Sequence, residues 1–292
     1  MQARALAILG FILVLSGGGA PASAVPEGAG ASRWLRSVDQ AVERAAADGR
    51  YILVDLYAEW CGWCRMLERE VFADPEFVAY ARDFVLLWVN VEDGGEGSEL
   101  QARFGATSLP TTLILDPRRV KVGEVAGFHP TGRFIAALEA EIDAYRGLLD
   151  LFDKVVRSGD AELQQRLAED FHQRGDGRRA AALYEQVLER LRGADAAWLH
   201  YRAADAYRLG GELGAAEPHL ERSRALATEL GDPALLERLE LLTFHIAQDR
   251  GDCAEAVATL ERFLAEHPGS AHRGQARRML QAIRKGEEME CT

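Results

Sequence analysis

Residues 51–64 read YILVDLYAEWCGWC. The first eight, Tyr51 to Ala58, form an apolar run interrupted by one carboxylate, Asp55. A short run of this kind predicts a strand buried in the middle of a sheet. Two cysteines with two residues between them follow at once, at the junction where the strand ends and a helix begins. A cysteine at a helix N-terminus lies beside unpaired backbone N–H groups and the positive end of the helix dipole. Both favour the thiolate and lower the pKa from its usual ~8.5. The second cysteine sits one helical turn on, where it can attack a mixed disulfide and release the product. Cys61 is therefore the expected nucleophile and Cys64 the resolving thiol. A plain local disulfide, or half of a metal site, is the alternative. Asp55 has two readings as well. Strand alternation could aim it at a surface, or it lies buried beneath the dithiol. There desolvation would raise its pKa and let it exchange a proton with Cys64.

Outward from this stretch, Ser32 is expected to cap a helix over 33–48, with Trp34, Leu35, Val38 and Val42 on one face and Gly49 as its stop. The helix opened by the cysteines runs through Arg69, and Asp74-Pro75 starts another over 74–82. FVLLWVNV (84–91) predicts a second buried strand, and SELQARFG (98–105) a short helix. TTLILD (111–116) and KVGEVAG (121–127) read as an antiparallel pair, and a helix capped by Thr131 runs to about Tyr145. The order αβαβαββα indicates an α/β sheet covered on both faces. Leu109-Pro110-Thr111 places a proline at the mouth of a strand, where a cis bond can form a fixed turn beside the dithiol.

On these residues, 32–146 resembles the thioredoxin fold. VDLYAEWCGWC, the strand around Asn90 and SLPTT carry the likeness. The stretch Val71-Phe72-Ala73-Asp74-Pro75 followed by FVLLWVNV is most similar to the C-terminal thioredoxin-like domain of the disulfide interchange protein DsbD and its secreted relatives. The resemblance implies a thiol–disulfide oxidoreductase in which Cys61 attacks, Cys64 resolves, Asp55 is buried and cis-Pro110 docks substrate. Trp60, Trp63, Leu109 and Pro110 are the expected substrate-binding rim. Clients are proteins with disulfides or thiols, and an upstream redox partner, membrane-embedded or not, supplies electrons. Three departures stand out. Gly62-Trp63 replaces the Gly-Pro of thioredoxin between the cysteines, Arg65 replaces a common lysine, and the lysine that contacts the buried acid in thioredoxin falls at Trp88. Asp55 is thus expected to lack a partner charge.

Beyond about residue 147 strand signals vanish. A helical linker over 147–159 leads into an all-α region, 160–288. There Gly175, Gly211 and Gly251 each stand five residues before an alanine that opens a helix. Their spacings, 36 and 40 residues, are close to the 34-residue helix–turn–helix repeat called TPR, and a last helix over about 271–286 would cap the stack. An irregular helical bundle is the alternative. The fold class is a thioredoxin-like α/β domain followed by TPR-like repeats. Four cysteines allow three pairings. With Cys61 and Cys64 paired, Cys253 and Cys291 are left for a structural disulfide that staples the C-terminal tail, rather than for a second redox pair. The seven histidines show no metal-ligand spacing, and no metal or soluble cofactor is expected.

Residues 1–24 have the three parts of a secretory signal in order: Arg4, the apolar run Ala5 to Leu15, and Ala22-Ser23-Ala24. This predicts a periplasmic or secreted protein. With 34 basic and 46 acidic residues the chain carries a net charge of −12, which disfavours nucleic acid as a partner. An exported oxidoreductase whose repeats recruit clients is the leading reading. A repeat scaffold or chaperone-like adaptor with a secondary thioredoxin domain is the other.

Overall fold

The computed structural model describes residues 34–285 of the 292. The signal segment 1–24, the Ser32 cap and Cys291 lie outside the described residues.

The chain opens with a two-residue strand β1 (Trp34–Leu35), then α1 (Val38–Asp48), β2 (Tyr51–Tyr57) and α2 (Gly62–Leu67). A π-helical turn (Glu68–Phe72) leads to α3 (Pro75–Tyr80), β3 (Phe84–Asn90), α4 (Glu96–Phe104), β4 (Thr111–Leu115) and β5 (Lys121–Ala126). The strands form one sheet in the order β1-β3-β2-β4-β5, with β2 parallel to β3 and antiparallel to β4. The expected helix over 33–48 is shorter than its sequence suggested, because Trp34 and Leu35 pair in parallel with Leu86 and Leu87. Their side chains go to opposite faces of the sheet. Trp34 joins the core of Phe72 and Phe134, whereas Leu35 joins that of Val38 and Leu87. That is period two, and a helix would have put both on one side. The start of α1 is held by Glu96, whose two carboxylate oxygens accept from the Val38 N–H at 3.0 and 3.1 Å.

The two faces of β2 divide the α/β part. Ile52, Val54 and Leu56 face the core made with α1 and α4. Leu53 faces the core that holds Leu67, Phe77, Phe134 and Leu138. Asp55, two residues on from Leu53, shares that second face.

The rest is helical: α5 (Thr131–Ser158), α6 (Ala161–Gln173), α7 (Gly177–Leu188), α8 (Gly193–Leu209), α9 (Leu213–Leu230), α10 (Pro233–Asp249), α11 (Cys253–Glu266) and α12 (Arg273–Lys285). The stretch expected as a separate linker is the second half of α5, which runs unbroken for 28 residues. Its Leu148 and Leu149 pack against both the α/β core and the first helical core. Gly175, Gly211 and Gly251 lie in the α6–α7, α8–α9 and α10–α11 turns with φ of +78°, +75° and +73°. Glycine reaches this left-handed region without steric cost, which is why the repeat is legible at these three places.

The α6–α7 turn also meets the sheet, at β5. The Lys121 N–H of β5 donates to the Arg174 carbonyl at 2.8 Å, and Arg174 returns its guanidinium to the Val122 carbonyl at 2.9 Å. The α6–α7 turn thus covers the free edge of β5, an edge that would otherwise be open to pairing.

Candidate functional site

Cys61 is the N-cap of α2, and its Sγ accepts from the Cys64 N–H at 3.1 Å. In the structure the two sulfurs are bonded, with the Cα atoms 5.3 Å apart. A backbone donor aimed at Sγ, together with the helix start, stabilises negative charge there once the pair is reduced. Both cysteines are buried in this oxidised form, Cys61 at 3% exposure. Ala58 lies with them, and Tyr57, Val91 and Leu109 pack around the cluster.

Two tryptophans flank the pair on the outside, Trp60 at 67% and Trp63 at 58% exposure. Trp60 is held by its indole N–H donating to Glu92 at 2.8 Å, and Trp63 leans on Phe128 with ring centres 5.9 Å apart. Leu109–Pro110 is a cis peptide, and the Pro110 carbonyl accepts from the Gly127 N–H at 2.8 Å. Of the expected rim, Leu109 packs against the cysteine cluster, Trp60 and Trp63 flank it in sequence with exposed rings, and Pro110 follows Leu109 across the cis bond. The Arg65 guanidinium turns back to the Glu59 carbonyl, onto the loop that leads into Cys61.

Asp55 is buried, which removes the surface reading. Burial raises its pKa to about 8, and the nearby Glu68 carboxylate adds to the rise. Its cross-strand neighbours are Trp88 on β3 and Thr112 on β4. Asp55 Oδ1, Trp88 Nε1 and Thr112 Oγ1 are all buried without a hydrogen-bond partner. Trp88 stands opposite Asp55 in the register, but its indole N–H makes no hydrogen bond to the carboxyl. The positive charge nearest that ring is Arg36, stacked over Trp88 at 4.0 Å.

Glu68 is the residue that sequence reasoning missed. It opens the π-helical turn after α2, and its own pKa is raised by burial while Arg36 opposes the rise. The signal was available as an acid seven residues after Cys61, two helical turns on. Its meaning depended on the strand that the helix covers.

Cys253 begins α11 and is disulfide-bonded. Its expected partner, Cys291, lies outside the described residues.

Residues 33–117 match the family model described as thioredoxin-like. This stretch is a thioredoxin-like domain. The chain is 36% identical over 106 residues to the thiol:disulfide interchange protein DsbD of Ralstonia nicotianae, covering 36% of this chain and 17% of that protein. It is 35% identical over 78 residues to DsbD of Pseudomonas fluorescens, covering 26% of this chain and 13% of that protein. The chain thus spans under a fifth of the length of these curated relatives. Among solved structures, a thioredoxin from Thermus thermophilus is 30% identical, with a TM-score of 0.34, covering 37% of this chain and 85% of that one. The thioredoxin-like match stops at residue 117, so the helical half falls outside it. No helix among the described residues is long and apolar enough to cross a membrane.

Proposed function

We propose that the protein is an exported thiol–disulfide oxidoreductase that reduces or exchanges disulfides in client proteins. One observation carries the reading: a cysteine pair at a helix start, just after the strand that holds a buried aspartate whose Oδ1 has no partner. A purely structural disulfide has no use for such a carboxylate, which costs stability.

The Cys61 thiolate attacks one sulfur of the client disulfide and forms a mixed disulfide, and the other client sulfur leaves as a thiolate. Cys64 gives its proton to the Asp55 carboxylate and attacks Cys61 Sγ. The Cys61–Cys64 bond forms, the bond to the client breaks, and two electrons pass from the dithiol to the client. An upstream dithiol protein returns the pair to its reduced form. A group whose pKa lies near 8 accepts and returns a proton readily near neutral pH. Trp60, Trp63, Leu109 and the backbone around Pro110 form the rim on which an extended client segment docks. The helical repeats bind clients or partners at a second site, and the signal-like segment 1–24 supports a periplasmic or secreted location.

The test is reduction of insulin by the mature chain with dithiothreitol as electron source, beside a Cys61→Ser variant. Catalysis by the first and none by the second is expected. Equal rates would leave the protein as an interaction scaffold with an idle disulfide.

A further inference from the structure

The helical half holds a polar cluster that the redox chemistry does not use. Glu240 lies in the middle of α10, and Glu266 and His267 form the end of α11 and its C-cap. One ligand atom from each lies within 4.8 Å of the other two. Glu240 is buried, at 7% exposure. Its Oε2 stands 3.3 Å from His267 Nε2, yet neither atom makes a hydrogen bond of acceptable geometry with any group.

The repeat provides an internal control. Gln164 on α6, His200 on α8 and Glu240 on α10 are separated by the same 36 and 40 residues as the turn glycines. In the first unit Gln164 donates to Gln186 at 2.6 Å, and in the second His200 meets His219 at 3.0 Å. Gln164 Oε1 also lacks a partner, but only in the third unit do two facing groups, Glu240 Oε2 and His267 Nε2, stand side by side with neither one bonded. Arg224 and Arg262 lie close enough to influence Glu240, but they turn to Thr243 at 2.8 Å and Thr259 at 3.4 Å.

We propose that Glu240, Glu266 and His267 bind a divalent transition-metal ion, with zinc the best match. One imidazole and two carboxylates are a zinc donor set, and three protein ligands leave a fourth position for water. Two ligands of a tetrahedral zinc at ~2.0 Å stand roughly 3.3 Å apart. That is the separation of Glu240 Oε2 and His267 Nε2. The cation also meets the negative end of the α11 dipole. Glu266 is exposed, so its carboxylate is free to turn onto the ion. The metal would tie α10 to the far end of α11, fastening the last unit of the stack, where α12 has no further helix among the described residues to pack against. The sequence patterns miss this site because Glu240 and His267 are 27 residues apart on separate helices.

The test is calorimetric titration of Zn2+ into the full-length protein with the Cys61–Cys64 pair kept oxidised, so that no thiolate competes. One ion per chain is expected, with a zinc-dependent rise in melting temperature. Glu240→Gln and His267→Gln should each weaken binding at least tenfold. Glu266→Gln, at an exposed position that the fold does not need, should weaken it several-fold. Co2+ in place of Zn2+ should give the visible absorption of a four-coordinate ion, and Glu240→Gln should abolish it. Absence of binding, or binding that survives the Glu266→Gln and Glu240→Gln substitutions unchanged, would overturn the proposal.

Discussion

Asp55 and Asp205 are both enclosed aspartates, one in each half of the molecule, and they are treated in opposite ways. Asp205, on α8, is gripped by His172 at 2.9 Å and by Arg208 at 2.8 Å. These partners hold its carboxyl well below the usual carboxylate range despite burial. Asp55 has an indole and a hydroxyl across the strands, an acid nearby, and no cation in contact; its pKa rises to about 8. Burial alone therefore does not decide the state of an acid; the groups that burial brings along decide it. In the helical half they are chosen to fasten helices together. Around Asp55 in the α/β half they keep the carboxyl protonated at neutral pH.

The largest expected effect breaks the comparison at the chemistry itself. Cys61→Ser should abolish insulin reduction, a loss of at least about a thousandfold for a missing nucleophile. Cys64→Ser should accumulate the mixed disulfide with client, visible as a mass increase under non-reducing conditions. If Cys64 rather than Cys61 formed the stable adduct, the two roles would have to be exchanged.

Substitution of the two aspartates should then give opposite signs. Asp55→Asn should slow the resolving step by about a hundredfold at pH 7, the usual size of a lost general base. It should also stabilise the fold by about 1–3 kcal/mol above pH 8, since an unpartnered buried carboxylate is removed. The sign follows from linkage. With a folded pKa raised from 3.8 to about 8, the folded state binds more protons than the unfolded one between those values. Asp55 therefore lowers stability progressively as pH rises through that window, and the advantage of Asp55→Asn grows with it. Asp205→Asn should do the reverse, costing about 3–5 kcal/mol near neutral pH because the largely buried Arg208 guanidinium loses its counter-charge. A depressed pKa gives stability that is present above the unfolded value and lost as pH falls below about 4, so the wild type and Asp205→Asn should converge in acid. Denaturation curves from pH 3 to 9 read both signs, and parallel curves for Asp55→Asn and the wild type would show that Asp55 is not shifted.

Sequence legibility differed between the halves for the same physical reason. The dithiol, the strand that feeds it and the cis proline are local: each is fixed by neighbours within a few residues, so a linear reading found them. The turn glycines were legible too, because φ near +75° admits few residues other than glycine. What was not legible depends on contacts between distant segments. Trp34 and Leu35 look helical by spacing, and only pairing with Leu86 and Leu87 makes them a strand. Glu68 gains its meaning from the strand its helix covers. The sequence leaves Asp55 without a charge partner, as found, but does not show that Trp88 and Thr112 bring further unsatisfied polar atoms to it.

The second disulfide sharpens the comparison from the structural side. Cys253→Ser should lower the stability of the helical half by about 2–4 kcal/mol, the usual worth of a disulfide. It should leave the insulin rate unchanged. Peptide mapping without reductant should recover Cys253 joined to Cys291; recovery joined to Cys61 or Cys64 would instead make it part of an electron relay.

The smallest effect concerns whether the halves communicate. The helices dock on β5 at Lys121 and Val122, whereas Ala126, at the other end of that strand, pairs with Thr111 beside the dithiol rim. Five residues of strand put the two ends roughly 17 Å apart. Contacts among α6, α7 and β5 therefore fix the attitude of the helical half without touching Cys61 or Cys64. Arg174→Ala removes the guanidinium bonds to the Lys121 and Val122 carbonyls. It should cost about 1 kcal/mol, the net worth of such bonds. Reduction of a small disulfide such as oxidised glutathione should stay within about twofold of the wild type, because remote binding energy plays no part in that reaction. On a protein client the rate should fall further, if the helical surface holds the client while its disulfide reaches around the sheet to Cys61. That holding raises the local concentration of the disulfide only while the two halves keep a fixed geometry. A chain ended at residue 146 would blur this test, since it also strips Leu148 and Leu149 from the α/β core; the point substitution leaves α5 whole. Equal losses on both substrates would mean that the docking contact supports the dithiol directly, and no loss on either would remove client recruitment from the role of the repeats.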